Sequence, residues 1–428
     1  MRWPGFVLIV VVASSSASAQ EAEWKRRLEG AVSLAIAQNP SITEMESRIE
    51  ADRHRVGQAS ALPDPEIEIG IQDVPPSDFS FTRDDFTMSK VTARQTFPAA
   101  GKRPERQRSA AAALDSSAAL HVDHVVRTAA EVADVFFAVA DLDARLEILQ
   151  ASRERLRLVS ASAADRYRVG RGAQADVLRA SLESTAAEER VVGLTAERRV
   201  LAVRLNALQA LSPEAEVSRI PMPDEGPSLP PAAEMVVSAE RRSPAIAARE
   251  AQVRAAESDL ALARLERRPD FTAMAYYANR AKFEDFVGAS VALNLPFFQP
   301  KRLKEREAER ESELSGARAS LEMVRNDIRR GVAEGYAELE RSRQQAALYR
   351  GSILPQAETN ERAAQEAYAV GQIDFLTLVR AALDRDAYAS ELAMRRAGAW
   401  RAVAALQMAS GLPLIPGTPG AGEFHVQN

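Results

Sequence analysis

The 428-residue sequence contains no cysteine, and only 6% of its residues are aromatic. Without cysteine the chain has no disulfide, no thiolate metal site, no cysteine nucleophile and no cysteine-linked lipid anchor. The scarcity of aromatic residues, together with abundant alanine and arginine, favours long helices with small side chains at their contacts over a large aromatic core.

The sequence also lacks the motifs of common hydrolases and nucleotide-binding enzymes: it has no nucleophile elbow, no zincin helix and no P-loop. Its net charge is only −5, from 60 acidic and 55 basic residues, whereas nucleic-acid-binding domains are usually strongly basic. We therefore expect no enzyme, no cofactor and no nucleic-acid partner.

Residues 1–19 are predicted to form a secretory signal peptide, because a positive start at Arg2 precedes an apolar run over residues 6–13 and an A-x-A cleavage pattern ending at Ala19. The run is shorter than the roughly 20 apolar residues that span a bilayer as a helix. No later segment is a candidate spanning helix. An exported chain of this kind would cross a membrane only with strands.

The rest of the chain is predicted to be two copies of one unit. The segments YRVGRGAQADVLRASLE (167–183) and YAVGQIDFLTLVRAALD (368–384) match best, and Asn39-Pro40-Ser41-Ile42 is similar to Ser243-Pro244-Ala245-Ile246. Several landmarks in the same order indicate a duplication rather than chance. The predicted boundaries are a first repeat over 20–211, a proline-rich extended linker over 212–231, a second repeat over 232–412 and a flexible tail over 413–428.

Each copy is predicted to contain a helix, two strands, a very long helix, a glycine turn and a returning helix. The first helices are expected at about 25–62 and 232–268, and the strands at about 65–73, 86–97, 270–279 and 286–296. Between Pro104 and Gly170 there is neither proline nor glycine, which predicts a helix of roughly 100 Å. Its apolar residues follow a heptad spacing at Val132, Val135, Val139, Leu142, Leu146 and Leu149. The second long helix is expected to be bent or broken near 351–355, where Gly351 and Pro355 stand.

The strand runs alternate in polarity, with Ile67, Ile69 and Ile71 on one face of the first run. In an exported chain without a hydrophobic helix, such strands suggest a transmembrane β-barrel. Four strands cannot close a barrel, and lipid does not tolerate an open edge. A barrel would therefore be shared, with eight strands from two chains or twelve from three. The alternative is a periplasmic coiled-coil scaffold or adaptor without a pore.

The duplicated order, the NP-x-I start, LPDPEIEIG (62–70), TFPAAGKRPER (96–106) and the paired Y-x-V-G turns resemble the TolC-type outer-membrane efflux proteins. This resemblance implies a mainly α fold with a small β part, in which a homotrimer forms a twelve-stranded barrel in outer-membrane lipid that continues as a periplasmic coiled-coil barrel. It also implies a passive duct in the outer membrane of a Gram-negative bacterium, served by a periplasmic adaptor and an inner-membrane RND-type transporter. The LPDPE and FP-x-x-GKR motifs are most similar to those of the family branch that serves heavy-metal exporters.

The resemblance places the periplasmic mouth and the adaptor contacts at the two hairpin tips, near Gly170 and Gly371. Both glycines are expected in left-handed turns. Relatives hold the mouth shut with a tyrosine–aspartate link, and the matching residues here are Tyr368 and Asp176. The acidic ring of the family is absent, and Asp374 is the candidate substitute.

His121 and His124 lie one turn apart on the long helix, beside Asp123. Two histidines at this spacing could bind a divalent metal with a carboxylate. A solvated helix face is the simpler explanation, and we assign no metal site.

Overall fold

A computed structural model describes residues 10–170, 172–223, 226 and 228–419 of the chain. Residues 1–9 of the predicted signal peptide and residues 420–428 of the predicted tail lie outside the described residues. Within the described residues, no helix combines the length and apolarity that a membrane span requires.

The order of elements matches the predicted duplication. The first copy contains α1 Val10–Gln38, α2 Pro40–Ala59, β1 Glu66–Gln72, β2 Met88–Phe97, α3 Lys102–Arg168 and α4 Gln174–Leu208. The second copy contains α5 Ala232–Arg242, α6 Pro244–Leu265, β3 Phe271–Asn279, β4 Phe286–Leu293, α7 Pro300–Leu348, α8 Leu354–Ala369 and α9 Phe375–Ser410. A 3₁₀ turn at Pro296–Phe298 follows β4, so this strand ends earlier than predicted.

The chain divides into two compact units, and each contains parts of both copies. Among the described residues, one unit consists of residues in the ranges 10–44, 121–244 and 325–419, and holds the hairpin tips. The other consists of residues 45–120 and 245–324, and holds all four strands.

The strands form one antiparallel sheet in the order β1-β2-β3-β4, so the central β2–β3 pairing joins the two copies. One row across the sheet consists of Ile69, Val91, Tyr277 and Val287, which are directly paired from strand to strand. Ile69 and Val287 are 79% and 81% exposed in the single chain. The apolar face predicted from alternation therefore exists, and it is uncovered in the single chain.

The opposite face of the sheet carries every charged residue of the four strands, namely Glu66, Glu68, Lys90 and Arg94. Arg94 and Glu68 form a salt bridge. The Lys90 ammonium lies 4.4 Å from the centre of the Tyr276 ring, a cation–π geometry. One face of the sheet is thus apolar and the other is polar, as in transmembrane β-sheets.

A partly buried salt bridge joins the two copies next to the start of β3. Lys102 Nζ donates to Asp270 Oδ1 at 2.8 Å and to the Arg268 carbonyl at 3.0 Å. The Ala99 N–H donates to the same Asp270 oxygen at 2.7 Å. Gly101 precedes Lys102 with φ +97°, a conformation that favours glycine. The GKR motif therefore fixes the turn from β2 into α3.

The long helix α3 has 67 residues, and its predicted heptad seam is buried from Val132 to Leu146. The few aromatic residues contribute more to this core than their number suggests. Trp24 contacts Trp400 with ring centroids 4.7 Å apart, and Phe137 stacks on Trp400 at 5.0 Å. The expectation of small side chains at most helix contacts is compatible with this one aromatic cluster, which is local.

The helices predicted at 25–62 and 232–268 are each divided by a proline. The chain breaks at Asn39 and Ser243, and Pro40 and Pro244 begin the next helices. Proline suits the first position of a helix because its missing N–H has no helical partner there. The Asn39 side chain accepts a hydrogen bond from the Ser41 N–H at 3.0 Å and so caps α2.

The predicted irregularity in the second long helix is confirmed. A π-helical turn at Tyr349–Ile353 separates α7 from α8, and Pro355 stands in the first turn of α8. Proline cannot donate the helical hydrogen bond, and a π turn is one way for a helix to absorb that loss.

The proline-rich segment over 212–231 has no helix or strand among its described residues, and helices hold its backbone. Arg198 donates to the Val217 carbonyl at 2.9 Å, Arg396 to the Pro223 carbonyl at 3.0 Å and Arg343 to the Gly226 carbonyl at 3.1 Å. Ile220 is buried. The described part of this segment is irregular backbone that packs along the helices.

The flexible tail predicted from residue 413 is wrong for residues 413–419. Gln407 is fully buried, and its side-chain oxygen accepts hydrogen bonds from the N–H groups of Leu414 at 2.8 Å and Ile415 at 3.0 Å. Ile415 is buried as well. A glycine- and proline-rich composition predicts flexibility. It does not show that the buried Gln407 side chain accepts hydrogen bonds from the backbone of this segment.

Candidate functional site: the two hairpin tips

Both tip glycines adopt the left-handed conformation that the sequence predicted. Gly170 has φ +70° and Gly371 has φ +79°. No atom outside the local chain lies within 4 Å of a Cβ built at either position. Backbone conformation, and not crowding, therefore requires glycine at each helix reversal.

The two tips differ in how the returning helix begins. Asp374 caps α9, because its Oδ1 accepts hydrogen bonds from the Thr377 N–H at 2.8 Å and the Thr377 hydroxyl. Both hydrogen bonds from Thr377 lower the pKa of the Asp374 carboxyl, and the bond from the Thr377 hydroxyl has the larger effect. Ala173 stands at the equivalent position of α4 and offers no side-chain cap. Asp374 thus has a local structural role at the exposed tip.

Tyr368 lies at the junction of the two hairpins. Its ring meets the Phe375 ring edge-on, with centroids 6.0 Å apart, and the Arg166 guanidinium stands 4.5 Å from the Tyr368 ring centre. Asp176 lies in the first turn of α4. Among the contacts of the described residues there is no hydrogen bond between Tyr368 and Asp176, so the predicted link stays a prediction.

A network of charged side chains crosses between the hairpins farther from the tips. Arg155 of α3 donates to Asp386 Oδ1, and Arg385 contacts the same oxygen at 2.7 Å. Arg385 also lies 3.2 Å from Glu361 of α8. Asp386 and Glu361 are buried. Sequence reasoning missed this network, because charges on long helices usually belong to solvated faces.

A cavity of about 250 Å³ lies beside this network. It is bounded by α3, α8 and α9 and is lined by Leu156, Val159, Leu378 and Leu383 together with Asp386. An apolar cluster that includes Phe375 and Val379 packs next to it, and Tyr368 is packed against that cluster.

The two histidines of α3 do not form a metal cluster. His124 Nε2 lies 2.7 Å from the Ser41 hydroxyl, and Asp123 accepts a hydrogen bond from Arg127 at 2.7 Å. Within the part of the chain that the structure describes, no group of three or more histidine or acidic side chains is arranged to hold a metal ion.

The architecture of duplicated hairpins, a four-stranded sheet and glycine tips can be compared with known proteins. A family model described as outer membrane efflux protein matches residues 31–211 and 235–412. The chain belongs to the outer membrane efflux protein family. It is therefore the outer-membrane channel component of an efflux system in a Gram-negative bacterium, and the scaffold alternative is not supported.

Individual known proteins that are similar to the chain share modest sequence identity with it. The cobalt-zinc-cadmium resistance protein CzcC of Cupriavidus metallidurans is 24% identical over 369 residues, which cover 85% of this chain and 84% of that protein. Two solved structures are similar in fold. VceC of Vibrio cholerae has a TM-score of 0.77 at 18% identity, covering 91% of this chain and 98% of that one. CmeC of Campylobacter jejuni has a TM-score of 0.76 at 11% identity, covering 92% and 88%.

Proposed function

We propose that this efflux protein works as a homotrimer in which three four-stranded sheets close one twelve-stranded barrel. The two outermost strands of the sheet, β1 and β4, have unpaired edges in the single chain. In lipid each unpaired backbone group is costly, so the edges need partners. Pairing β4 of one protomer with β1 of the next satisfies both edges and leaves the apolar face outward.

The duct itself is passive on this proposal, and it does no chemistry. An inner-membrane RND-type transporter supplies the energy, and a periplasmic adaptor contacts the tips around Gly170, Gly371 and Asp374. Exposed apolar side chains support such contacts, since Val169 and Val370 stand uncovered next to the two tip glycines. A contact between Tyr368 and the first hairpin would close the mouth between export cycles. The link to Asp176 is the candidate from the sequence, and the Arg166 contact is the alternative to it.

We further propose divalent metal ions as the cargo class. This rests on the similarity to CzcC, a cobalt-zinc-cadmium resistance protein. The duct needs no metal site for this role, because tight binding would slow release.

The mass of the detergent-solubilised protein tests the trimer. Light scattering should give about three times the mass of the mature chain, and the trimer should dissociate on heating. A stable monomer that keeps the full β-sheet signal would contradict the shared barrel.

Cargo is tested separately by deleting the gene and comparing growth with zinc, cobalt or cadmium against growth with organic drugs. Sensitivity to drugs alone would contradict the metal assignment and leave the duct intact.

A further inference from the structure

Two arginines of α3 reach from the first hairpin to the second. Arg166 stacks on the Tyr368 ring at 4.5 Å, and Arg155 donates to Asp386. The two arginines are eleven residues apart, close to three helical turns, so they project from one face of α3. Their partners are spread over α8 and α9.

Neighbouring arginines of α3 behave differently. Arg157 pairs with Glu154 at 2.8 Å, and Arg168 pairs with Asp165 at 2.7 Å, in both cases within the same helix. These two arginines are exposed and show no contact with the second hairpin among the described residues. They are therefore matched controls, because they carry the same charge two residues away.

The contacts of Tyr368 distinguish two ways of holding the hairpins. A hydrogen bond to Asp176 needs the tyrosine hydroxyl. A cation–π contact with Arg166 needs only the aromatic ring. The geometry of Tyr368 satisfies the second requirement, and its ring is further braced by Phe375 at 6.0 Å.

Arg155 adds a second attachment farther from the tip. It shares the Asp386 carboxylate with Arg385, which also contacts Glu361. Because Asp386 is buried, removal of Arg155 leaves its charge only partly compensated. Both contacts lie between the first and the second hairpin, and both hold the two hairpins together.

We propose that Arg166 and Arg155 are positioning residues that hold the second hairpin against the first. The contact of Arg166 with the Tyr368 ring keeps the periplasmic mouth closed. This inference rests on the proposed duct. According to this inference, the aromatic ring of Tyr368, and not its hydroxyl, keeps the mouth closed.

Single-channel recordings in planar bilayers test the inference with five variants. Tyr368→Phe keeps the ring and should leave the ratio of open to closed channels unchanged. Tyr368→Leu and Arg166→Gln should raise that ratio roughly two- to thirty-fold, as expected for loss of a half-buried cation–π contact. Arg166→Lys keeps a cation and should restore much of the closure, whereas Arg168→Gln should behave like the wild type. All variants should remain trimers, which a heat-dissociation gel verifies.

The same comparison applies at the second attachment, where Arg155→Gln should raise the open fraction and Arg157→Gln should not. A measurement that does not depend on conductance uses the absence of cysteine. Spin labels on Val169→Cys and Val370→Cys should report a broader distance distribution between the tips when Arg166→Gln is added, and no change with Arg168→Gln.

Opening by Tyr368→Phe with no effect of Arg166→Gln would overturn the inference in favour of the hydroxyl link. Unchanged conductance and unchanged tip distances in the Arg166→Gln trimer would also overturn it, while leaving the duct intact. A wild-type trimer that conducts no ions under any condition would instead overturn the proposed function, and the inference with it.

Discussion

At the scale of single residues, Lys102 and Lys301 occupy matching positions after the second strand of each copy. Lys102 is buried and bound to Asp270, whereas Lys301 is exposed. The duplication thus preserved the residue type and not its role. Tertiary contacts around the β2–α3 turn decide which of the two lysines stabilises the chain.

Replacing Lys102 with methionine should lower the free energy of unfolding by roughly 2–3 kcal/mol, because it leaves the Asp270 carboxylate without its buried partner. The measurement is the temperature or urea concentration at which the folded band disappears on a gel. Lys301→Met is the matched control and should change the result little. An equal effect of both changes would contradict the assignment of the buried pair.

The same pair predicts a dependence on acid. Burial raises the pKa of Asp270, but hydrogen bonds from Lys102 and the Ala99 N–H outweigh it, and the pKa is lowered overall. The folded value lies below the unfolded value of about 3.9. The stabilisation is therefore present above that pH and is lost as the pH falls through the folded pKa. Unfolding measured from pH 6 to pH 2 should show a steeper loss for the wild type than for Asp270→Asn, and parallel curves would contradict this.

At the scale of helices, the glycines of α7 serve different purposes. A Cβ on Gly335 would lie 2.7 Å from Leu406 Cδ2, and one on Gly331 would lie 2.7 Å from the Ala409 Cβ. These glycines allow α7 and α9 to approach closely. Gly316 has no atom within 4 Å of a built Cβ and has no such role in the chain.

Alanine substitutions should separate these two kinds of glycine. Gly335→Ala should destabilise the protein by roughly 1–3 kcal/mol, since the fully buried Leu406 has little room to move. Gly316→Ala should stabilise it by about 0.5–1 kcal/mol through higher helix propensity. Thermal unfolding followed by circular dichroism measures both. A stabilising Gly335→Ala would show that the close approach of the helices does not constrain this position.

At the scale of the whole molecule, the two faces of the sheet meet different surroundings. Val291 belongs to the apolar face and is 67% exposed in the single chain, and Ser290 belongs to the opposite, charged face. In a barrel the first would contact lipid and the second would face the lumen. A side chain that is exposed in the single chain would therefore contact lipid if it lies on the apolar face and water if it lies on the charged face.

Lysine substitutions test this assignment. Val291→Lys should cost roughly 2–4 kcal/mol if it lies near the middle of the bilayer, because a charge there loses its hydration. Ser290→Lys should fold normally, because the lumen is wet. Folding yield into lipid vesicles, measured by heat-modifiable gel mobility, compares the two. Equal yields would contradict the outward orientation of the apolar face.

Much of the fold was predictable because local patterns encode it. The long helix from Lys102 to Arg168 follows from the absence of proline and glycine beyond its first turn, and alternation predicted each strand to within three residues at either end. The left-handed tips at Gly170 and Gly371 follow from glycine between two helical patterns. The contact of Tyr368 with Arg166 was not predictable, since it joins residues about 200 positions apart.

What the sequence alone determined about this protein is therefore its repeated plan: two copies, alternating strands, long helices and glycine reversals. Periodicity expresses these features within a few neighbouring residues. Only the tertiary structure decided that Lys102 is buried while Lys301 is exposed, that Gln407 holds residues 414 and 415, and that Arg166 meets Tyr368. Each of these depends on which distant side chain fills the space opposite, and no local pattern records that.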